Sequence, residues 1–300
     1  MAATPAEHTA SRAALIGSVC GVGAALSWAI GFVVAKYGLT QGMTPADLAF
    51  HRFAWSGLLL LPVLARQGLS DLGGVGWGRG MVLMLLGGPV QALLAYTGFM
   101  LVPLGHGAVI QPATASLSGL ILAALILHER LRTSRILGAV GIVAGLVTLG
   151  AESLLTIGSH GVGGDLMFAA AGFFWALFSI TLRRWSVSGM HAAMVVAVLA
   201  LLFYVPLHGF FFGYRTMVAA GLGMNVLQAF VQGGLAGVIP IYLFAHAVML
   251  LGAGRASLFT ALVPVSTVLL GALLIGEIPS WPQIAGLVIV LIGFRFAVRA

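Results

Sequence analysis

The sequence predicts an all-α integral membrane protein with ten transmembrane helices in two inverted five-helix repeats. Three observations predict it. First, 60% of the 300 residues are hydrophobic and only 7% are charged, against about 25% charged in soluble domains, and the mean hydropathy is +1.10. Second, the apolar residues come in runs of roughly 18–25, the length that crosses a bilayer as a helix. Third, the chain carries a half-length duplication. The stretch LGHGAVIQPATASLSGLILAALILHE (104–129) is answered by LGAGRASLFTALVPVSTVLLGALLIGE (251–277). Glu129 with Glu277, Gly138 with Gly286 and Gly145 with Gly293 all stand 148 residues apart, while Trp28 with Trp175 and Met43 with Met190 stand 147 apart. One residue is therefore inserted near Gly105. Matches among Gly, Ala and Leu arise by chance; two aligned glutamates among seven acidic residues are a stronger signal.

Taken in order, the helices are expected near 14–36, 46–65, 79–101, 105–128, 133–151, 163–184, 190–212, 222–250, 254–276 and 281–299. Gly-Met-Thr-Pro (42–45) parts the first two. The run from Asp71 to Gly78 parts the second and third, and His128 to Arg135 the fourth and fifth. Gly158 to Asp165 parts the two halves, and Ile278-Pro-Ser-Trp-Pro the last two helices. The seventh-to-eighth connection is the least marked. The chain thus divides into a cytoplasmic tail (1–11), a first five-helix repeat (12–152) and a second, inverted repeat (153–300). Among the 42 glycines, pairs four apart such as Gly17 with Gly21, Gly141 with Gly145 and Gly233 with Gly237 suit close helix packing in lipid.

The net charge of +7 does not point to nucleic acid, because the basic residues are scattered singly between apolar runs. They read as topology signals. With the N-terminus inside, Arg12, Arg66, Arg79, Arg130, Arg132, Arg135, Arg183, Arg184, Arg255, Arg295 and Arg299 fall on the cytoplasmic side. Lys36, Arg52 and Arg215 fall opposite. Both termini are therefore placed in the cytoplasm. The connection after Glu129 is arginine-rich, whereas no Lys or Arg follows Glu277 before Arg295; equivalent loops face opposite sides, as an odd number of spans per repeat requires. Cys20, the only cysteine, excludes a disulfide framework and a cysteine metal cluster. The first apolar run continues to about Ala35 without a small-residue cleavage site, so it is expected to be a retained span.

The five-helix duplication, the Trp in its first helix, Arg52 in the second and the helix ending in His-Glu or Gly-Glu together resemble the drug/metabolite transporter superfamily, EamA type. The resemblance covers nearly the whole chain, and overall it is nearest to the bacterial YddG-type exporters of aromatic amino acids. It implies a bacterial cytoplasmic (inner) membrane location and export of small amphipathic metabolites, aromatic or neutral amino acids first. The first repeat departs from the pattern with Ser116 where the second has Pro264, so its fourth helix is expected to bend at Pro112.

The candidate substrate-binding residues follow from polarity within apolar runs. Asn225, Gln228, Gln232, Tyr242 and His246 share about 100° of arc on the eighth helix at 100° per residue. Such a stripe faces protein or a wet cavity. The amides also suit plain interhelical hydrogen bonding, but Gly233, Gly234, Gly237 and Pro240 interrupt the same helix. The third helix has Gly87, Gly88 and Pro89, with Gln91 and Tyr96 beyond them. Interrupted helices at matching places point to a transport site between inverted repeats. Gln111, Thr114 and Ser118 share a stripe beside Pro112, where local bonding around a kink is an equal use. Trp28 and Trp175, mid-helix, offer flat walls for a ring or a cation, or simply fill space.

Other polar residues receive structural expectations. Glu129 and Glu277 are expected to anchor helix ends or pair with basic residues. Asp47 is expected to cap the second helix and pair with His51, and Arg52 to snorkel. No Asp or Glu sits mid-span, unlike the buried glutamate of small multidrug-resistance transporters, so proton coupling would fall to His246 or His106. Uncoupled export fits equally. No hydrolase or zinc-protease motif occurs, nor charge rings of a channel. The expectation is a monomeric transporter, not an enzyme, without cofactor, metal or nucleic acid. Its partners are a small-molecule substrate and membrane lipid, with lipophilic drugs or nucleobases as the alternative cargo.

Overall fold

The structure is a computed structural model that describes residues 5–126, 128, 133–152, 155, 159–251, 256, 259–260 and 262–298. The first half comprises α1 (Pro5–Thr40), α2 (Pro45–Gln67), α3 (Trp77–Gly87), α4 (Pro89–Leu101), α5 (Leu104–Ile126) and α6 (Thr133–Glu152). The second half comprises α7 (Ser159–Trp185), α8 (Gly189–Phe211), α9 (Arg215–Gln228), a π-helical segment (Ala229–Leu235), α10 (Ile239–Leu251), α11 (Leu262–Ile275) and α12 (Trp281–Val298).

Local chemistry sets these boundaries. Gly42, at φ 88°, makes the turn after α1, a conformation that costs a side chain dearly. Thr44 then caps α2: its hydroxyl accepts from the Asp47 N–H while the Asp47 carboxylate accepts from the Thr44 N–H, with Pro45 at the first helical position. The expected cap by Asp47 is thus reciprocal. Gly88 and Pro89 divide the third segment into α3 and α4. In the eighth segment helix begins at Arg215, earlier than the apolar run indicated, and Gly221 (φ 82°) breaks α9 internally. Likewise α1 starts at Pro5, ahead of its apolar run, since proline favours the first turn and Ala-rich sequence continues it.

Among the described residues, seven helical stretches are long and apolar enough to cross a membrane: Arg12–Thr40, Pro45–Gln67, Trp77–Leu101, Leu104–Ile126, His160–Trp185, Gly189–Phe211 and Arg215–Leu251. Three further apolar helices, Ile136–Thr148, Leu262–Ile275 and Trp281–Gly293, are shorter. The start expected for the ninth helix, 254–261, falls largely outside the described residues.

The packing is symmetric under exchange of halves. Helix α1 packs on α10 and α11, and α7 packs on their equivalents α4 and α5. The π segment packs on α2 as α3 packs on α8, while α2 with α8 and α6 with α12 pair about the exchange axis. The last pair is a glycine seam. A methyl on Gly145 would fall 2.9 Å from the Gly286 carbonyl, and one on Gly293 would fall 2.9 Å from the Gly138 carbonyl. These are the same contact viewed from either half. Gly237 differs from the expected seam: a methyl there would meet only carbonyls of its own segment, at Gly233 and Gln232. Large apolar side chains such as Leu125, Val147, Phe210 and Leu273 cover the outside, as a lipid-facing surface requires.

Candidate functional site

The broken eighth segment crosses to the first half through its amides. Gln232 donates to the Gly31 carbonyl of α1 at 2.9 Å, so its oxygen is the atom that accepts from the Tyr96 hydroxyl of α4 at 3.0 Å. One turn earlier Gln228 donates to the Val34 carbonyl at 2.8 Å, filling space that Gly38 leaves open. Asn225 donates to the carbonyls of Met217 and Gly221, tying down the backbone beside the α9 break. Its oxygen lies 3.1 Å from Nε2 of His51. Because the Trp55 indole can only donate and bonds Nδ1 of His51 at 3.1 Å, the Nε2 atom carries the proton to Asn225.

Asp47 pairs differently from expectation. Its partner is not His51 but His208 of α8, whose Nε2 is 3.2 Å from Oδ1. The hydroxyls of Thr44 and Thr216 donate to Oδ2 at 2.8 and 2.7 Å, and the Tyr204 hydroxyl donates to the Ala46 carbonyl nearby. His51, one turn on, points instead at α9. This buried cluster joins α2, α8 and the start of α9. An ionisable His208 inside an apolar run was the only sequence signal for it; its partner lies 161 residues away.

A second cross-half tie involves Glu277, which follows α11. It sits 3.7 Å from Lys36 of α1 and accepts from the Leu104 N–H at the start of α5 at 2.9 Å. Lys36 also donates to the carbonyls of Phe99 and Val102 at the end of α4, where a cation complements the helix dipole. Its repeat mate Glu129 lies outside the described residues. His106 is buried with Nδ1 2.8 Å from Asp165.

The remaining candidates fall into separate surroundings. Trp28 is half-buried with its ring 5.9 Å from Phe244 of α10, whereas Trp175 is 44% exposed and packs on Phe178. Tyr242, 56% exposed, lies against His246 with ring centroids 4.6 Å apart. Gln91, Gln111, Thr114 and Ser118 are half-buried. Gly172 of α7 approaches the backbone of Gln111 and Ala115, bringing α7 close to the α5 stripe. The structure therefore ties Asn225, Gln228 and Gln232 to the first half by separate contacts, through His51, Val34 and the pair of Gly31 and Tyr96. It leaves Tyr242 and His246 as a distinct pair beyond the break. The uniform 100° stripe does not survive, because the π segment has a wider turn that resets the helical phase.

Two exchange-related halves built from apolar helices, with polar contacts gathered at broken spans between them, define a multi-span membrane protein of the transporter class. The sequence model of the EamA-like transporter family matches residues 15–151 and again residues 162–299. The chain belongs to this family, whose members are transporters rather than enzymes. A solved structure described as "Crystal structure of protein" is similar at 23% identity, with a TM-score of 0.63 over 96% of both chains; this likeness shows the fold. Fifteen chains of solved structures match, and no curated protein does.

Proposed function

We propose that this protein exports small amphipathic metabolites, aromatic or neutral amino acids foremost, by alternating access through a central pathway. In this reading all ten apolar helices cross the bacterial cytoplasmic membrane, the two five-helix repeats are inverted, and both termini are cytoplasmic. One observation carries it: the third and eighth segments are interrupted at matching places, and the interrupted part of one half is bonded to the other half. Interrupted helices free backbone groups at the midplane and place them where a substrate can reach them. The exchange symmetry of the packing supplies two related conformations from one architecture. Uncharged polar groups and the rings of Trp28 and Trp175 suit a zwitterion with an apolar side chain.

Counterflow into liposomes holding the purified protein tests this. Preloading with unlabelled phenylalanine, tryptophan or threonine should drive uptake of the labelled species without a pH gradient. Uptake of a cationic dye or a nucleobase alone would replace the amino-acid assignment. Dependence on a proton gradient would bring His106 and His246 forward as coupling groups.

A further inference from the structure

A cleft of about 620 Å³ opens at the Lys36–Glu277 tie, where the end of α1 meets the end of α11. Lys36, Thr40 and Gln41 line it from the first half, and Leu274, Ile275 and Glu277 line it from the second. The ion pair in this cleft is only partly satisfied. Lys36 spends two of its three N–H bonds on the carbonyls of Phe99 and Val102, at 2.7 and 2.8 Å. Glu277 spends Oε2 on the Leu104 N–H at 2.9 Å. One N–H of Lys36 and the Oε1 atom of Glu277 remain. Nζ and Oε1 stand 3.7 Å apart, too far for a hydrogen bond. Among the described residues neither has another partner. The two side chains are 14% and 25% exposed, so a solute in the cleft can reach both.

Opposite charges lining one cleft select a ligand by sign. A lone anion attracted to Lys36 is repelled by Glu277, and a lone cation attracted to Glu277 is repelled by Lys36. A zwitterion meets each with the favourable sign. An α-amino acid carries its ammonium and carboxylate on neighbouring carbons, which suits so short a separation. Leu274 and Ile275 offer apolar contact to its side chain, and Thr40 and Gln41 offer further hydrogen-bonding groups.

We propose that this cleft is a binding subsite for the zwitterionic head of an amino acid, with Lys36 taking the carboxylate and Glu277 the ammonium. This rests on the amino-acid transport reading and deepens it, placing a recognition step at the mouth of the pathway. Occupancy turns the remaining N–H of Lys36 and the free oxygen of Glu277 from each other to the solute. Binding therefore weakens the tie between the halves by its preference for the separated pair.

Protection of an introduced thiol tests the subsite on the purified protein in nanodiscs of phosphatidylcholine. Gln41→Cys, at an exposed position of the cleft, supplies the thiol, and Cys20→Ala removes the native one. Phenylalanine should slow modification by a membrane-impermeant maleimide in a saturable way. Phenylalaninamide (no carboxylate) and 3-phenylpropionate (no amine) should need concentrations about tenfold higher. Glu277→Gln should abolish the preference for phenylalanine over 3-phenylpropionate, and Lys36→Gln its preference over the amide. If neither charge variant folds, the three-probe comparison with both charges intact decides alone. Equal protection by all three probes, or by none, overturns the proposal. So do preferences that persist in both variants, since the protecting solute then sits elsewhere. Protection that appears when phosphatidylethanolamine is added, without amino acid, assigns the cleft to a lipid headgroup and overturns it too. Phenylalanine counterflow without protection removes the subsite and keeps the transporter. Protection without counterflow of any amino acid keeps the subsite and removes the transport reading.

Discussion

Several buried polar side chains in this protein are fixed by a neighbour on another helix. Asp47 is the densest case, accepting from a backbone N–H and two hydroxyls while contacting His208. Asp47→Ala strands these donors in a buried position, where each unsatisfied group costs about 1–3 kcal/mol. A loss of about 3 kcal/mol is expected, read as a marked fall in Tm in detergent, with Asp47→Asn falling less because its oxygen still accepts. By contrast Trp175→Ala, at an exposed ring, should leave Tm within a degree or two while slowing counterflow. Wild-type counterflow in Trp175→Ala would remove that ring from the pathway. Tyr96 and Gln232 stood out in the sequence because polar groups in lipid-length runs need partners. Which partner could not be read: Tyr96 and Gln232 are 136 residues apart, and only tertiary packing brings α4 to the π segment.

Helix-scale behaviour turns on glycine, and glycines at similar helical positions are not equivalent. Gly293 of α12 packs against the Ile142 N–H and the Gly138 carbonyl of α6, so any side chain there must push the helices apart. Gly119 of α5 faces open space. Gly293→Val should therefore destabilise by about 1–3 kcal/mol through overpacking. Gly119→Ala should be neutral or stabilise by up to about 1 kcal/mol, the helix-propensity difference. Equal Tm values for the two variants would show that the seam is not close-packed. One side of this seam was legible, since Gly141 and Gly145 stand four apart and both meet α12, whereas nothing in the sequence named their partners on that helix. The eighth segment was legible only in part. Its glycines announced an interruption, but periodicity at 3.6 residues per turn carries no information about a π segment. Gln228 and Gln232 precede or begin the phase change and stay buried, whereas Tyr242 and His246 follow it and turn elsewhere.

On the scale of the whole molecule, exchange symmetry gives the helix pairings between halves their counterparts, and under the proposed alternating access a contact that closes one end must break for that end to open. The Lys36–Glu277 tie is placed to do this. It joins α1 of the first half to the segment after α11 of the second, and reaches the end of α4 and the start of α5 as well. Four chain segments therefore meet at one half-buried ion pair. A ligand or a mutation shifts a two-state equilibrium only by its differential interaction with the two states. Under the proposed alternating access this tie breaks as its end opens, so Lys36→Ala or Glu277→Gln should favour the state open there. Val102 is buried directly beneath the tie, which makes Val102→Cys a reporter of that opening. Its modification by a membrane-impermeant maleimide should quicken about tenfold when either partner of the tie is neutralised, corresponding to roughly 1.4 kcal/mol. Combining both substitutions should add little beyond either one, since each removes the same interaction. Unchanged labelling in all three backgrounds would mean that the tie anchors helix ends without controlling access, and that the closing contact lies elsewhere between the halves.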